Sequence, residues 1–156
     1  MKKYDVTMMK TAYLWASESS CNRKKVGAVL TLNGRVLSNG YNGTVSGSCN
    51  DCEEKCPQCN GVGKVNNNTC SKCQGHGTIS KSTVIHAEAN ALMFALKNGI
   101  STDGCTMYVT LQPCIECSKM IIQCGIKEVV FTEEYRITDS IDFLTAHGVL
   151  IRKLEI

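Results

Sequence analysis

No run of apolar residues in this 156-residue chain approaches the roughly 20 needed to cross a membrane as a helix. The opening residues, Met1-Lys2-Lys3-Tyr4-Asp5, lack the apolar stretch of a secretory signal peptide. A large excess of one charge sign is missing too: 17 Lys and Arg stand against 14 Asp and Glu, a net charge of +3. Basic residues cluster only briefly, at Arg23-Lys24-Lys25. A nucleic-acid binder usually carries a stronger basic stripe, so the balance points to a small substrate and leaves room for a local anion pocket. These absences together predict a cytoplasmic protein with no membrane or nucleic-acid partner. Residues 48–80 have few large apolar side chains and are rich in Cys, Gly and Asn. That stretch cannot build a hydrophobic core of its own and needs staples.

What is abundant is cysteine, with 11 residues. The count is odd and most of the cysteines sit in C-x-x-C pairs, which reads as metal ligation in a reducing cytosol rather than as a disulfide framework. Elsewhere 43% hydrophobic residues suffice for one core, and the length suits one domain.

Hydrophobic periodicity predicts a helix over 5–20, with Val6, Met9, Tyr13 and Ala16 on one face. Strands over 26–32 and 35–38 flank Asn33-Gly34, a turn pair that tolerates positive φ. A loop follows through Asn39-Gly40-Tyr41-Asn42-Gly43. After the cysteine-rich stretch come a helix over 84–98, a strand over 106–111 and a helix to Cys124 with Pro113 in its first turn. A strand over 128–132, a helix over 139–146 and a strand over 149–156 complete the chain. Strands alternating with helices predict an α/β sandwich around a mixed sheet.

Two short motifs open successive predicted helices: His86-Ala87-Glu88 and Pro113-Cys114-Ile115-Glu116-Cys117. H-x-E followed by P-C-x-x-C is the signature of the zinc-dependent deaminases. His86, Cys114 and Cys117 offer three ligands, and a catalytic zinc keeps a fourth position for water. The two thiolates lie about one helical turn apart, near N–H groups that stabilise their charge. A zinc there would supply an activated water for attack on C4 of a cytosine or an equivalent amidine carbon. Glu88 is not a ligand; it would move protons from the water to ring N3 and to the leaving ammonia.

Residues 56–63 (C-P-Q-C-N-G-V-G) and 70–77 (C-S-K-C-Q-G-H-G) are an internal repeat. Cys56, Cys59, Cys70 and Cys73 would close a tetrahedral structural zinc site. The repeat resembles the zinc-binding repeats of the DnaJ chaperone family at the level of motif. Cys21, Cys49 and Cys52 remain, with His76 close in sequence, as candidates for a further zinc. Cys105 and Cys124, in apolar context, read as small core residues.

Beyond the zinc motif, three segments are similar to the deoxycytidylate (dCMP) deaminases of the cytidine-deaminase superfamily, phage members included: Lys25 to Val29, Gly40-Tyr41-Asn42-Gly43 and Glu134-Tyr135-Arg136. The resemblance covers most of the chain outside 48–80. It implies a cytidine-deaminase-like α/β/α sandwich with a five-stranded mixed sheet, a single domain over 1–156, and a small zinc-ribbon insertion over 48–80. It implies conversion of dCMP to dUMP for thymidylate synthesis, activation by dCTP with Mg²⁺, inhibition by dTTP, a homo-oligomer (a hexamer in many members), and, for a phage-encoded chain, the host cytoplasm. Substrate-binding candidates are Asn42 near the sugar, Ala87, Tyr135 at the nucleotide, and Arg23 and Arg136 for the 5′-phosphate, which a guanidinium can grip bidentately. Lys25, Tyr41 and Gly43 match the segment tied to the allosteric nucleotide, although Val45 replaces the usual proline there. Several phage members hold a second zinc where the insert lies, and Cys21 matches one of its ligands.

Two other functions compete. A superfamily deaminase acting on nucleosides or on nucleic-acid bases would need a different pocket mouth or a basic groove. A zinc-ribbon binding module with an inert core would have no need of Glu88.

Overall fold

The computed structural model describes residues 2–134 and 139–156. Helix α1 (Asp5–Ser17) is followed by the hairpin of β1 (Gly27–Leu32) and β2 (Arg35–Tyr41). Four short strands come next: β3 (Glu53–Lys55), β4 (Lys64–Val65), β5 (Asn68–Thr69) and β6 (Thr78–Ser80). The chain then runs through α2 (Ala87–Lys97), β7 (Thr106–Leu111), α3 (Ile115–Gln123), β8 (Glu128–Glu133), α4 (Asp139–Ala146) and β9 (Leu150–Lys153).

The main sheet has five strands in the order β2-β1-β7-β8-β9. β1 pairs antiparallel with β2 and β7, whereas β7–β8 and β8–β9 are parallel. Alternation along the strands divides the core in two. Val29, Tyr108 and Val130 face Met8, Met9 and Ala12 of α1. Ala28, Leu30, Met107, Val109 and Val129 face the other way, into a larger cluster with Ala91 and Leu92 of α2, Ile121 of α3 and Leu144 of α4. The result is the expected α/β/α sandwich with a mixed sheet. Among the described residues no helix is long and apolar enough to cross a membrane.

Several boundaries differ from the sequence pattern. Asn39-Gly40-Tyr41, expected in a loop, continues β2 and pairs with Val29, Ala28 and Gly27. Gly40 serves packing there: a Cβ on it would lie 2.4 Å from the Ala87 carbonyl oxygen, so its absence lets α2 press onto the strand. Helix α2 starts three residues later than expected, because His86 is extended (φ −74°, ψ 155°) and forms its N-cap. Pro113 lies outside α3, whose N-cap is Cys114. The last strand is shorter than expected, ending at Lys153.

The insert stands apart from the main sheet. Its base is a ribbon of β3 and β6, paired Glu53↔Ser80 to Lys55↔Thr78. Beyond the ribbon the two C-x-x-C-x-G-x-G repeats make matching turns. The Cys56 N–H donates to the Gly77 carbonyl (2.8 Å) and the Cys70 N–H to the Gly63 carbonyl (2.9 Å). Gly63 (φ 80°) and Gly77 (φ 75°) occupy the left-handed region. A Cβ on either would meet the carbonyl oxygen of the opposite repeat, Gly75 or Gly61, at 2.3 Å. Only glycine satisfies both constraints.

Candidate active site and zinc centres

Helices α2 and α3 aim their N-termini at one point. His86 caps α2 and Cys114 caps α3, with Cys117 one turn on. His86 Nδ1 lies 3.5 Å from Cys114 Sγ and 3.4 Å from Cys117 Sγ. The three ligand atoms all fall within 4.8 Å of one another. Tetrahedral zinc with standard bond lengths requires N···S separations of about 3.6 Å, so the cluster fits that ion. A hydrogen bond from Cys117 holds the Cys114 thiol down at about 3, helped by His86. The same bond and burial push Cys117 up, while the Cys114 partner raises His86. A metal held by these three residues would displace their remaining protons.

Glu88 lies in the first turn of α2 and is 4% exposed. Burial pushes its carboxyl up to about 7, a value suited to both taking and giving a proton near neutrality. It forms part of the lining of a cleft of about 270 Å³ with His86, Ala87 and Cys114. His76 also lines this cleft, and so do Arg23, Lys24 and Lys81, so most of its charged wall is cationic.

The structure brings several predicted substrate residues to this cleft and leaves others away from it. Ala87, Asn42 and Arg23 line it. The Asn42 side chain accepts the Val26 N–H (2.7 Å) and donates to the Lys24 carbonyl (2.8 Å), which shapes the segment before β1 that carries the basic residues. Tyr135 and Arg136 lie outside the described residues. Of the allosteric candidates, Lys25 donates to the Ser17 carbonyl (3.2 Å). Tyr41 stacks on Trp15 at 6.4 Å between centroids, and Gly43 bridges to Ile85. None of the three lines the cleft.

In the insert, Cys56, Cys59, Cys70 and Cys73 form a buried cluster. The Cys56–Cys70 and Cys59–Cys73 sulfurs are 3.8 and 3.6 Å apart, against about 3.8 Å for two thiolates on a tetrahedral zinc. The Gly63 and Gly77 N–H groups donate to Cys59 and Cys73 Sγ at 3.2 Å each, the kind of outer bond that steadies a ligating thiolate.

The further zinc expected from Cys21, Cys49, Cys52 and His76 is not assembled. Cys21 and Cys52, both buried, are joined as a disulfide, contrary to the expectation of reduced thiols throughout. Cys49 is exposed and His76 lies in the cleft wall. The pair forms because Cys52, at the root of the ribbon, lies against the loop after α1. Cys105 is buried in the main core as expected, and Cys124 packs against that core. Sequence reasoning missed Lys24, Val26, Ser80, Lys81, Val84, Leu111 and Gln112 as cleft residues. A basic residue shortly before a catalytic motif is too common to single out Lys81.

Residues 2–133 match the family model described as the cytidine and deoxycytidylate deaminase zinc-binding region. The chain belongs to this deaminase family. It is 40% identical to the deoxycytidylate deaminase of Enterobacteria phage T4 in an alignment 149 positions long that covers 83% of this chain and 77% of that one. It is 36% identical to the Homo sapiens deoxycytidylate deaminase over 84% of this chain and 66% of that one. The solved structure of the dCMP deaminase from cyanophage S-TIM5 in complex with dCMP and dUMP superposes with a TM-score of 0.78, at 38% identity, covering 99% of both chains. For a deaminase of this family, the described cluster and Glu88 stand at the expected motif positions.

Proposed function

We propose that the protein hydrolyses dCMP to dUMP and ammonia, supplying dUMP for thymidylate synthesis. The observation that carries this reading is the buried Glu88 carboxyl beside the three-ligand cluster, in a cleft whose charged wall is cationic. His86, Cys114 and Cys117 would hold the catalytic zinc, which supplies a water acidic enough to react near neutral pH. Glu88 would take a proton from the attacking water and deliver it to ring N3 of the cytosine; it would then take the second proton from the hydroxyl newly formed on C4 and pass it to the amino group, which leaves as ammonia. The burial that raises its carboxyl favours this exchange. Ala87 would pack on the base and Asn42 would meet the sugar. Arg23 and Arg136 would bind the 5′-phosphate, with Tyr135 at the nucleotide.

Cys56, Cys59, Cys70 and Cys73 would hold a structural zinc within an insertion, residues 48–80, of a single domain. Regulation is proposed on the family pattern: dCTP with Mg²⁺ activating, dTTP inhibiting, through Lys25, Tyr41 and Gly43 in a hexamer within the host cytoplasm. The similarity to phage and human deoxycytidylate deaminases supports the mononucleotide over a nucleoside or a nucleic-acid base. The deciding experiment follows loss of the cytosine ultraviolet band from dCMP on zinc-loaded protein, with and without dCTP and Mg²⁺. Conversion to dUMP is expected. Turnover of cytidine or deoxycytidine but not dCMP would replace the substrate, and no turnover of any cytosine compound would remove the activity.

A further inference from the structure

The insert reaches the cleft as well as projecting away from it. Its ribbon ends at Ser80, and the next residue, Lys81, lines the cleft that holds His86 and Glu88. The Lys81 backbone is fixed, since its N–H donates to the Cys52 carbonyl at 2.9 Å. Its ammonium pairs with Asp51 at 2.8 Å, and the Lys81 side chain is 28% exposed against 65% for Asp51. A mostly covered lysine therefore holds its charge at the cleft with a carboxylate that remains largely in water, and such an exposed partner is weakly held.

The same insert braces a second cation that lines this cleft. Glu53 Oε1 accepts the N–H groups of Asn22 (2.9 Å) and Arg23 (3.1 Å), which sets the backbone that carries Arg23. Lys24, the next residue, is engaged by Glu133. Lys81 and Arg23 are thus two cations lining one cleft, each tied to the segment 51–53 where the insert enters its ribbon. A doubly charged phosphate competes well with a single exposed carboxylate for an ammonium, through charge-assisted hydrogen bonds.

We propose that Lys81 is a specificity-determining residue that binds the 5′-phosphate of the substrate, exchanging Asp51 for it, and that Glu53 is a positioning residue for Arg23 in the same subsite. This deepens the mononucleotide reading above and rests on it. It makes the zinc-bearing insert part of the apparatus that separates nucleotides from nucleosides.

The test is calorimetric binding of dUMP and of deoxyuridine to the zinc-loaded full chain. The quantity read is the ratio of their dissociation constants. In Lys81→Met the preference for dUMP is expected to fall about tenfold or more, with zinc content retained. Lys81→Arg is expected to keep most of it, and Asp51→Asn to preserve or increase it. A Lys81→Met protein that keeps the full preference overturns the assignment, and so does one that weakens both compounds equally. If the unsubstituted protein converts dCMP while Lys81→Met retains the preference, this inference alone falls. If it binds neither compound and converts no dCMP, the mononucleotide reading falls with it.

Discussion

The Arg152 guanidinium grips the Asp5 carboxylate through two parallel hydrogen bonds of 2.9 Å, tying the last strand to the first helix. Asp5 is fully buried and also accepts from the Tyr108 hydroxyl (2.9 Å) and the Lys2 N–H (2.6 Å). Arg152 reaches Glu128 as well, at 2.6 Å. The Arg152 bond is the main force holding the Asp5 carboxyl well below the usual carboxylate range. An unfolded carboxyl titrates near about 3.9. The stability Asp5 contributes is therefore present above that pH and is lost as pH falls from about 4 through its depressed folded value. Asp5→Asn should cost about 3 kcal/mol at pH 7. In denaturant titrations the gap to the unsubstituted protein should narrow at pH 3.

Gly63 and Gly77 give a second expectation. Either glycine changed to alanine drives a Cβ onto a backbone oxygen at 2.3 Å, at a positive φ. Gly61 is also left-handed (φ 88°), but the nearest atom to its Cβ is a flexible Lys55 carbon at 3.7 Å. Gly63→Ala and Gly77→Ala should each lose the insert's metal, while Gly61→Ala should cost only the backbone strain, about 1 kcal/mol. Metal analysis of the purified variants separates the two cases.

Zinc content is itself a prediction. Two clusters among the described residues have ligand spacing suited to zinc, so two zinc ions per chain are expected. Cys21 and Cys52 should resist thiol reagents until a reductant is added. A third zinc, with both cysteines reactive after chelation, would return them to the role first expected of them.

Glu88→Gln keeps the size of the side chain but removes its capacity to carry protons. Turnover of dCMP should drop by roughly 10²- to 10⁴-fold. Binding of dUMP and the zinc content should be retained. Loss of zinc in this variant would mean that Glu88 serves the metal cluster and not the proton path.

The sandwich, its five strands and the meeting of His86, Glu88, Cys114 and Cys117 were legible because each rests on local pattern. His86, Glu88, Cys114 and Cys117 sit in short motifs at helix starts, and the strands alternate cleanly. Where local composition misled, tertiary pairing had overridden it. Asn39-Gly40-Tyr41 looks like a loop by residue type, yet its pairing with β1 and the close approach of α2 make it strand. The join of Cys21 to Cys52 spans 31 residues, and nothing in either local segment marks its partner. Lys81 was hidden for a related reason: its place depends on a ribbon whose two strands are separated by both repeats.

The pairing of Lys55 with Thr78 has an evolutionary consequence. The chain leaves and re-enters the ribbon at neighbouring points, so residues 56–77 form a cassette with adjoining ends. A two-residue hairpin turn could replace it in one step without disturbing Glu53 or Lys81. Lineages could therefore gain, enlarge or shed the cysteine-rich lobe, and His76 with it, while Glu53 and Lys81 at the cleft are inherited unchanged.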